Sequence, residues 1–348
     1  MRLVLTATIF AAAFAVFSCS GSDRDVPDIS GIKADLEFHR FDRDFFAVDT
    51  NQLEQSLGAL EKKYPNFLPL YFEYFSPIDF IVSQQEQSRP EAVREYIRNI
   101  KPLFDSANQE FTDLEKTRTQ LEKNLKYVKS YFPSFNIPVV LTSVESLNPE
   151  NPLEIYGTTY YHDTLIISLQ MFLGKNFSVY DPAQYPDYLR RRFEPEYMVP
   201  NCLRAVALDL YPDNTETALI DQMVEKGKQW YLQKKFLPDT PDSLITGFNS
   251  GQMKWCVENE GNIWSFLNQR ENLYANDQPT IQTYLGEAPF TSTLPHGNNG
   301  EGAPGNIGAW IGWRIVEAYV AQQKNVDLKE LLQTPARKIF EEAKYRPK

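Results

Sequence analysis

Residues equipped for chemistry are sparse in this chain of 348: three histidines, three cysteines, and acids scattered through amphipathic stretches. A helical metal site needs two neutral imidazoles at i and i+4, a glutamate beside the first as general base, and a third ligand on a following helix. The stretch whose outline suits that layout is residues 196–234, EYMVPNCLRAVALDLYPDNTETALIDQMVEKGKQWYLQK. Met198, Val199, Cys202, Leu203, Val206 and Leu210 recur at helical spacing, as do Leu219, Ile220, Met223, Val224, Trp230 and Tyr231, so two consecutive helices are expected. Neither carries a histidine. Cys202, Leu203 and Val206 stand where a ligand pair would, and Lys226 directly precedes Gly227. An apolar and cationic set offers a divalent ion nothing to bind, so no metal, cofactor or catalytic residue is expected. His39, His162 and His296 lie far apart, none with a paired ligand at metal spacing.

Other chemistries fare no better. Asp209 and Glu225 could act as acid and base if their environments pushed their pKa values apart. Carboxylates on amphipathic helices are more simply solvated faces or ion-pair partners. The glycines of PHGNNGEG, residues 295–302, lack the following Lys-Ser/Thr and the flanking strand of a phosphate cradle, which excludes nucleotide. A net charge of −11 and a pI near 5.0, with no basic run longer than Arg190-Arg191-Arg192, exclude nucleic acid. That triplet reads as a mixed-charge surface face with Glu194 and Glu196. Aromatics reach 14%, which favours a thick core over sugar- or peptide-contacting surfaces.

The N-terminus carries the most specific signal. Met1-Arg2 opens an apolar run to Phe17, and Ser18-Cys19 closes it. This is the pattern of a lipoprotein signal peptide over residues 1–18: a small side chain, Ser18, precedes the cut, and the Cys19 thiol carries the lipid that holds the protein to a membrane. Phe17 is larger than the residue common there, leaving a plain secretory signal or an uncleaved anchor as alternatives. Residues 19–34 are a polar tether broken by Pro27 and Gly31. Residues 35–348 form one globular domain. Cys202 and Cys256 could pair in an oxidising compartment or remain two buried thiols.

The elements expected to position these residues are mostly helical. A strand over 35–41 is followed by helices at 51–63, 66–75, 90–100 and 105–129, the last being the longest. Strands follow at 137–144, 154–161 and 164–169, with His162-Asp163 as a hairpin turn. After the central pair come a loop at 236–249, a helix at 251–268 broken at Gly261, and a turn-rich loop at 276–306. A helix at 307–323 carries Gly308 and Gly312, which would let another element approach closely. Two short helices end the chain. The fold class is α+β, mostly helical with a small sheet.

The lipoprotein start, HRFDRDFF from His39, QMFLG from Gln170, VPNCLRAVALDLYP, KGKQWYL, APFTSTLP and GAWIGWRIVEAYV together resemble the gliding motility-associated lipoprotein GldB family of the Bacteroidetes. The resemblance runs over most of the mature chain. It implies a zincin-like body similar to predicted zinc-dependent proteases but lacking their metal-binding motif. By the same resemblance the protein is a non-catalytic lipoprotein of the cell envelope, at the outer membrane, working with other envelope proteins of the gliding and secretion machinery. The alternative, drawn from the aromatics and the loops near 180 and 295, is a glycan- or peptide-binding lipoprotein of nutrient uptake.

Overall fold

The computed structural model describes residues 26–85, 87–149, 154–213, 218–270, 272–295, 302–323 and 326–347. The signal peptide with Ser18 and Cys19, and His296, lie outside the described residues. The fold is α+β, mostly helical with a four-stranded sheet in the order β1-β2-β4-β3: β1 Phe38–His39, β2 Val139–Ser143, β3 Thr158–Tyr161 and β4 Thr164–Ser168. β2 lies parallel to both β1 and β4, whereas β3 runs antiparallel to β4. Parallel neighbours are covered on both faces, and β2 and β4 are accordingly buried along nearly their whole length. His162 and Asp163 take φ of 46° and 55°, the left-handed pair that a two-residue hairpin turn demands.

Six helices carry or support the chemistry-bearing side chains: α1 Arg89–Glu110, α2 Glu115–Tyr131, α3 Met198–Leu210, α4 Leu219–Phe236, α5 Ile307–Gln322 and α6 Ala336–Ala343. The central pair is present as expected. α3 lies against β3, α2 and α4, while α4 is gripped between α3, α5 and α6. The tightest crossing is α4 on α5. A Cβ on Gly227 would fall 2.2 Å from the Gly312 carbonyl carbon, and one on Gly312 would fall 1.7 Å from the Met223 oxygen. Backbone meets backbone there, as Gly312 led one to expect, and Gly227 is its counterpart. Trp310 and Trp313, each 1% exposed, flank Gly312 and anchor α5. The buried apolar residues form one cluster that runs from Leu36 to Ala343. Among the described residues no helix is long and apolar enough to cross a membrane.

Several boundaries differ from the expectations. The first strand is only two residues, because Phe41 turns into a helix, Phe41–Phe46, whose Phe41 and Phe45 are wholly buried. Pro102 does not end α1. Apolar residues on both sides of it, Tyr96, Ile97, Phe104 and Ala107, bury one continuous face, which outweighs one lost hydrogen bond. The break falls instead before α2, where Arg40 donates to the Phe111 carbonyl at 2.6 Å and Asp113 accepts from Glu115 N at 2.8 Å. Residues 154–156 are a 3₁₀ turn rather than strand. Helices Asp242–Thr246 and Gln278–Leu285 occupy stretches expected to be loop. The break expected at Gly261 falls at Asn259.

Candidate functional site

α3 and α4 each turn one face inward. Cys202, Leu203 and Val206 are wholly buried in the core, so the positions where metal ligands would stand are packing positions. What the two helices present to the cleft between them is Arg204, Ala207 and Leu208 from α3, with Lys226, Gln229, Trp230 and Gln233 from α4. Tyr156, Arg192, Ile245, Thr246, Glu287 and Asn306 complete the lining around a cavity of about 50 Å³. That is room for a few waters or one small anionic group.

The Arg triplet is not the solvated face its sequence suggested. Arg190 pairs with Asp187, Arg191 donates to Gln252 Oε1 at 2.8 Å, and Arg192 is 4% exposed. Arg192 Nη1 lies 2.9 Å from Glu287 Oε1, an ion pair rather than an aligned hydrogen bond, while Nη2 donates to the Thr246 carbonyl at 3.0 Å. Gly247, at φ 72°, makes room for it: a Cβ there would sit 2.2 Å from Arg192 Nε. Burial opposes the Glu287 charge, but Arg192 overcomes it and holds the carboxyl below its ordinary range, helped by the Tyr156 hydroxyl at 3.2 Å. Burial, with Arg192 beside it, lowers Arg191 to about 10.

Arg204 stacks 3.4 Å from the Tyr156 ring centroid, and no carboxylate of the described residues pairs with it. Lys226 has Asp213 at 3.2 Å, which also accepts from Gln229 at 2.7 Å. Burial resists the Asp213 charge, and Lys226 and Gln229 outweigh it, so that carboxyl sits below its usual value. Asn306, in the left-handed region at φ 62°, has a buried Oδ1 with no hydrogen-bond partner among the described residues. Three cations against Glu287 leave the lining positive, which suits a carboxylate or phosphate group. It does not suit a divalent cation: the donors are guanidinium, ammonium and amide, and among the described residues no three His, Cys, Asp or Glu come close enough to hold one.

The remaining candidates are dispersed. His39 is on β1 beside Glu37 at 3.6 Å, and His162 is in the turn at the opposite edge of the sheet, its ring 4.1 Å from that of Tyr161. Glu225 accepts from Tyr211 and pairs at 3.2 Å with Lys228, which is 1% exposed and donates to the Leu332 and Thr334 carbonyls. Asp209 is exposed and has no part in that network; burial and then Asp163 raise its carboxyl. Cys202 and Cys256 are both buried free thiols. Sequence reasoning missed Arg192, Glu287 and Tyr156 as one site because their partners lie far along the chain. The hint within reach was Arg192 standing directly before the buried Phe193.

The family described as gliding motility protein GldB matches residues 22–347 of the chain. No match was found among curated proteins or among solved structures.

Proposed function

Because the chain belongs to the gliding motility GldB family, we propose that it is a non-catalytic, lipid-anchored protein of the cell envelope, at the outer membrane. In this reading the basic cleft between α3 and α4 docks an acidic group of another component of the gliding or secretion machinery. One observation carries it: Arg204 is held against Tyr156 at 3.4 Å and faces the cleft without a carboxylate partner among the described residues. Its neighbours Arg192 and Lys226 are in ion pairs, whereas Arg204 feels the Asp213 charge only at a distance, so it is the cation of the cleft most open to a ligand. A zincin-like ancestry belongs to the same reading, supported by α3 lying against the antiparallel edge strand β3 with α4 packed beside it. The nutrient-uptake alternative loses Tyr180 and Tyr185, each 1% exposed.

The test is a photo-crosslinking residue in place of Trp230, in the native lipoprotein within its own envelope. A defined envelope partner should be captured, and capture should be lost in Arg204→Glu and weakened by salt. Capture indifferent to Arg204→Glu would sink the docking claim. Zinc bound stoichiometrically by the purified protein, with peptidase activity lost on chelation, would sink the non-catalytic one.

A further inference from the structure

A second cavity lies at β3, the edge strand of the sheet. It measures about 570 Å³ and is lined by Tyr74, Phe75, Ser76, Glu145, Thr158 and Ser168 among others. A π-helical turn, Tyr71–Phe75, is closed by Ser76 N donating to the Tyr71 carbonyl at 2.8 Å, and it brings Tyr74, Phe75 and Ser76 to the mouth. Such turns are rare and recur at functional sites. At the opposite wall β3 is the outermost strand of the sheet, and among the described residues its backbone hydrogen bonds run only to β4.

The floor is polar and poorly satisfied. Glu145 is 7% exposed; one carboxylate oxygen accepts from the Ser168 hydroxyl and the other, Oε2, has no hydrogen-bond partner among the described residues. Ser143 and Gln170, both wholly buried, lie close enough to support the carboxylate charge, yet among the described residues neither side chain makes a hydrogen bond of good geometry, and Ser76 Oγ has no partner there either. Native proteins leave few such groups, and a cluster of them beside a cavity calls for an occupant. No cation of the described residues pairs with Glu145. The charged group nearest in influence is Asp42, of like sign, whose own countercharge Arg40 sits at 2.7 Å. The other titratable groups facing it are the Tyr71 and Tyr96 hydroxyls, which are neutral.

We propose that this cavity receives the protonated primary amine of a small ligand, with Glu145 as its ion-pair partner, the Ser76 hydroxyl as a further acceptor, and the rings of Tyr74 and Phe75 against the ligand's body. An ammonium supplies three donors to a site rich in acceptors and short of positive charge. Burial, with Asp42 adding to it, raises the Glu145 carboxyl above its ordinary range, and an ammonium beside it favours the charged form. The basic cleft plays no part in this, and the two readings stand or fall separately.

Calorimetric titration of the purified protein with trialanine and with glucosamine, each against its N-acetylated form, tests the assignment. Binding of at least one free amine is expected, with binding lost on acetylation. The amine that binds tells whether the source is a peptide terminus or an amino sugar. Glu145→Gln, which keeps the shape and removes the charge, should weaken binding about tenfold or more, while Arg204→Glu leaves it unchanged. The proposal is overturned if neither amine binds at millimolar concentration, if acetylated forms bind equally, or if Glu145→Gln binds as the wild type does; the cavity then holds water alone.

Discussion

The basic cleft and the sheet-edge cavity each bury a glutamate beside tyrosines and amides, and they treat it in opposite ways. Glu287 is given Arg192 and is held below the ordinary carboxylate range; Glu145 is given hydroxyls and is held above it. Burial is common to both, so burial does not decide the charge. What decides it is whether the fold delivers a cation to the same place.

The largest expected effect breaks the first half of that comparison. Arg192→Met strands Glu287 inside the protein and should cost about 3–5 kcal/mol, read by urea unfolding. A depressed carboxyl contributes its stability above the unfolded value, near 4.3, and loses it as pH falls through the lower folded value. The gap between wild type and variant should therefore narrow on acidification; a gap that stays constant down to pH 2 would mean that the loss is packing alone.

Glu145→Gln probes the other half with the sign reversed. The folded state keeps this proton to higher pH than the unfolded chain does, so wild-type stability falls as pH rises from about 4.3 to the raised folded value. The variant should be more stable by about 1–3 kcal/mol at pH 8 and no more stable than wild type at pH 4. Thermal unfolding at the two pH values measures both. A variant less stable at pH 8 would show that Glu145 is already satisfied by a charge.

Two surface substitutions sharpen the contrast with little cost to the fold. Arg204→Ala removes a stack on Tyr156 and should change stability by about 1 kcal/mol or less, while binding of an acidic partner falls about tenfold. Equal affinity in the two proteins would move the docking site elsewhere. Tyr74→Ala, at a side chain 69% exposed, should shift stability by less than about 0.5 kcal/mol. A larger loss would make that ring part of the core rather than the mouth of a cavity.

Local signals carried the frame of the molecule. Apolar spacing announced α3 and α4, His162-Asp163 announced the hairpin, and Gly312 announced the crossing on α4, each because a few neighbouring residues contain the whole physical cause. Where that was untrue the reading failed. Phe41 looked like the end of a strand, but its burial among Phe45, Tyr64, Phe67 and Tyr71 draws it into a helix. Helices expected at 90–100 and 105–129 divide elsewhere, because the face shared by Tyr96, Ile97 and Phe104 runs on through Pro102.

The family and its start with a lipoprotein pattern could be read from phrases scattered along the chain, and so could the absence of paired histidines on the central helices, since a missing side chain needs no fold to be missing. The sites could not. Arg191 and Arg192 are chemically identical neighbours, and only the arrival of Glu287 and the space left by Gly247 make one of them an interior cation. Glu145 has no such visitor, which makes it a binding candidate rather than half of a pair. Charge is local to a residue, but its compensation is a property of whatever the folded chain brings within a few ångströms, and that information is spread over distances that no short window spans.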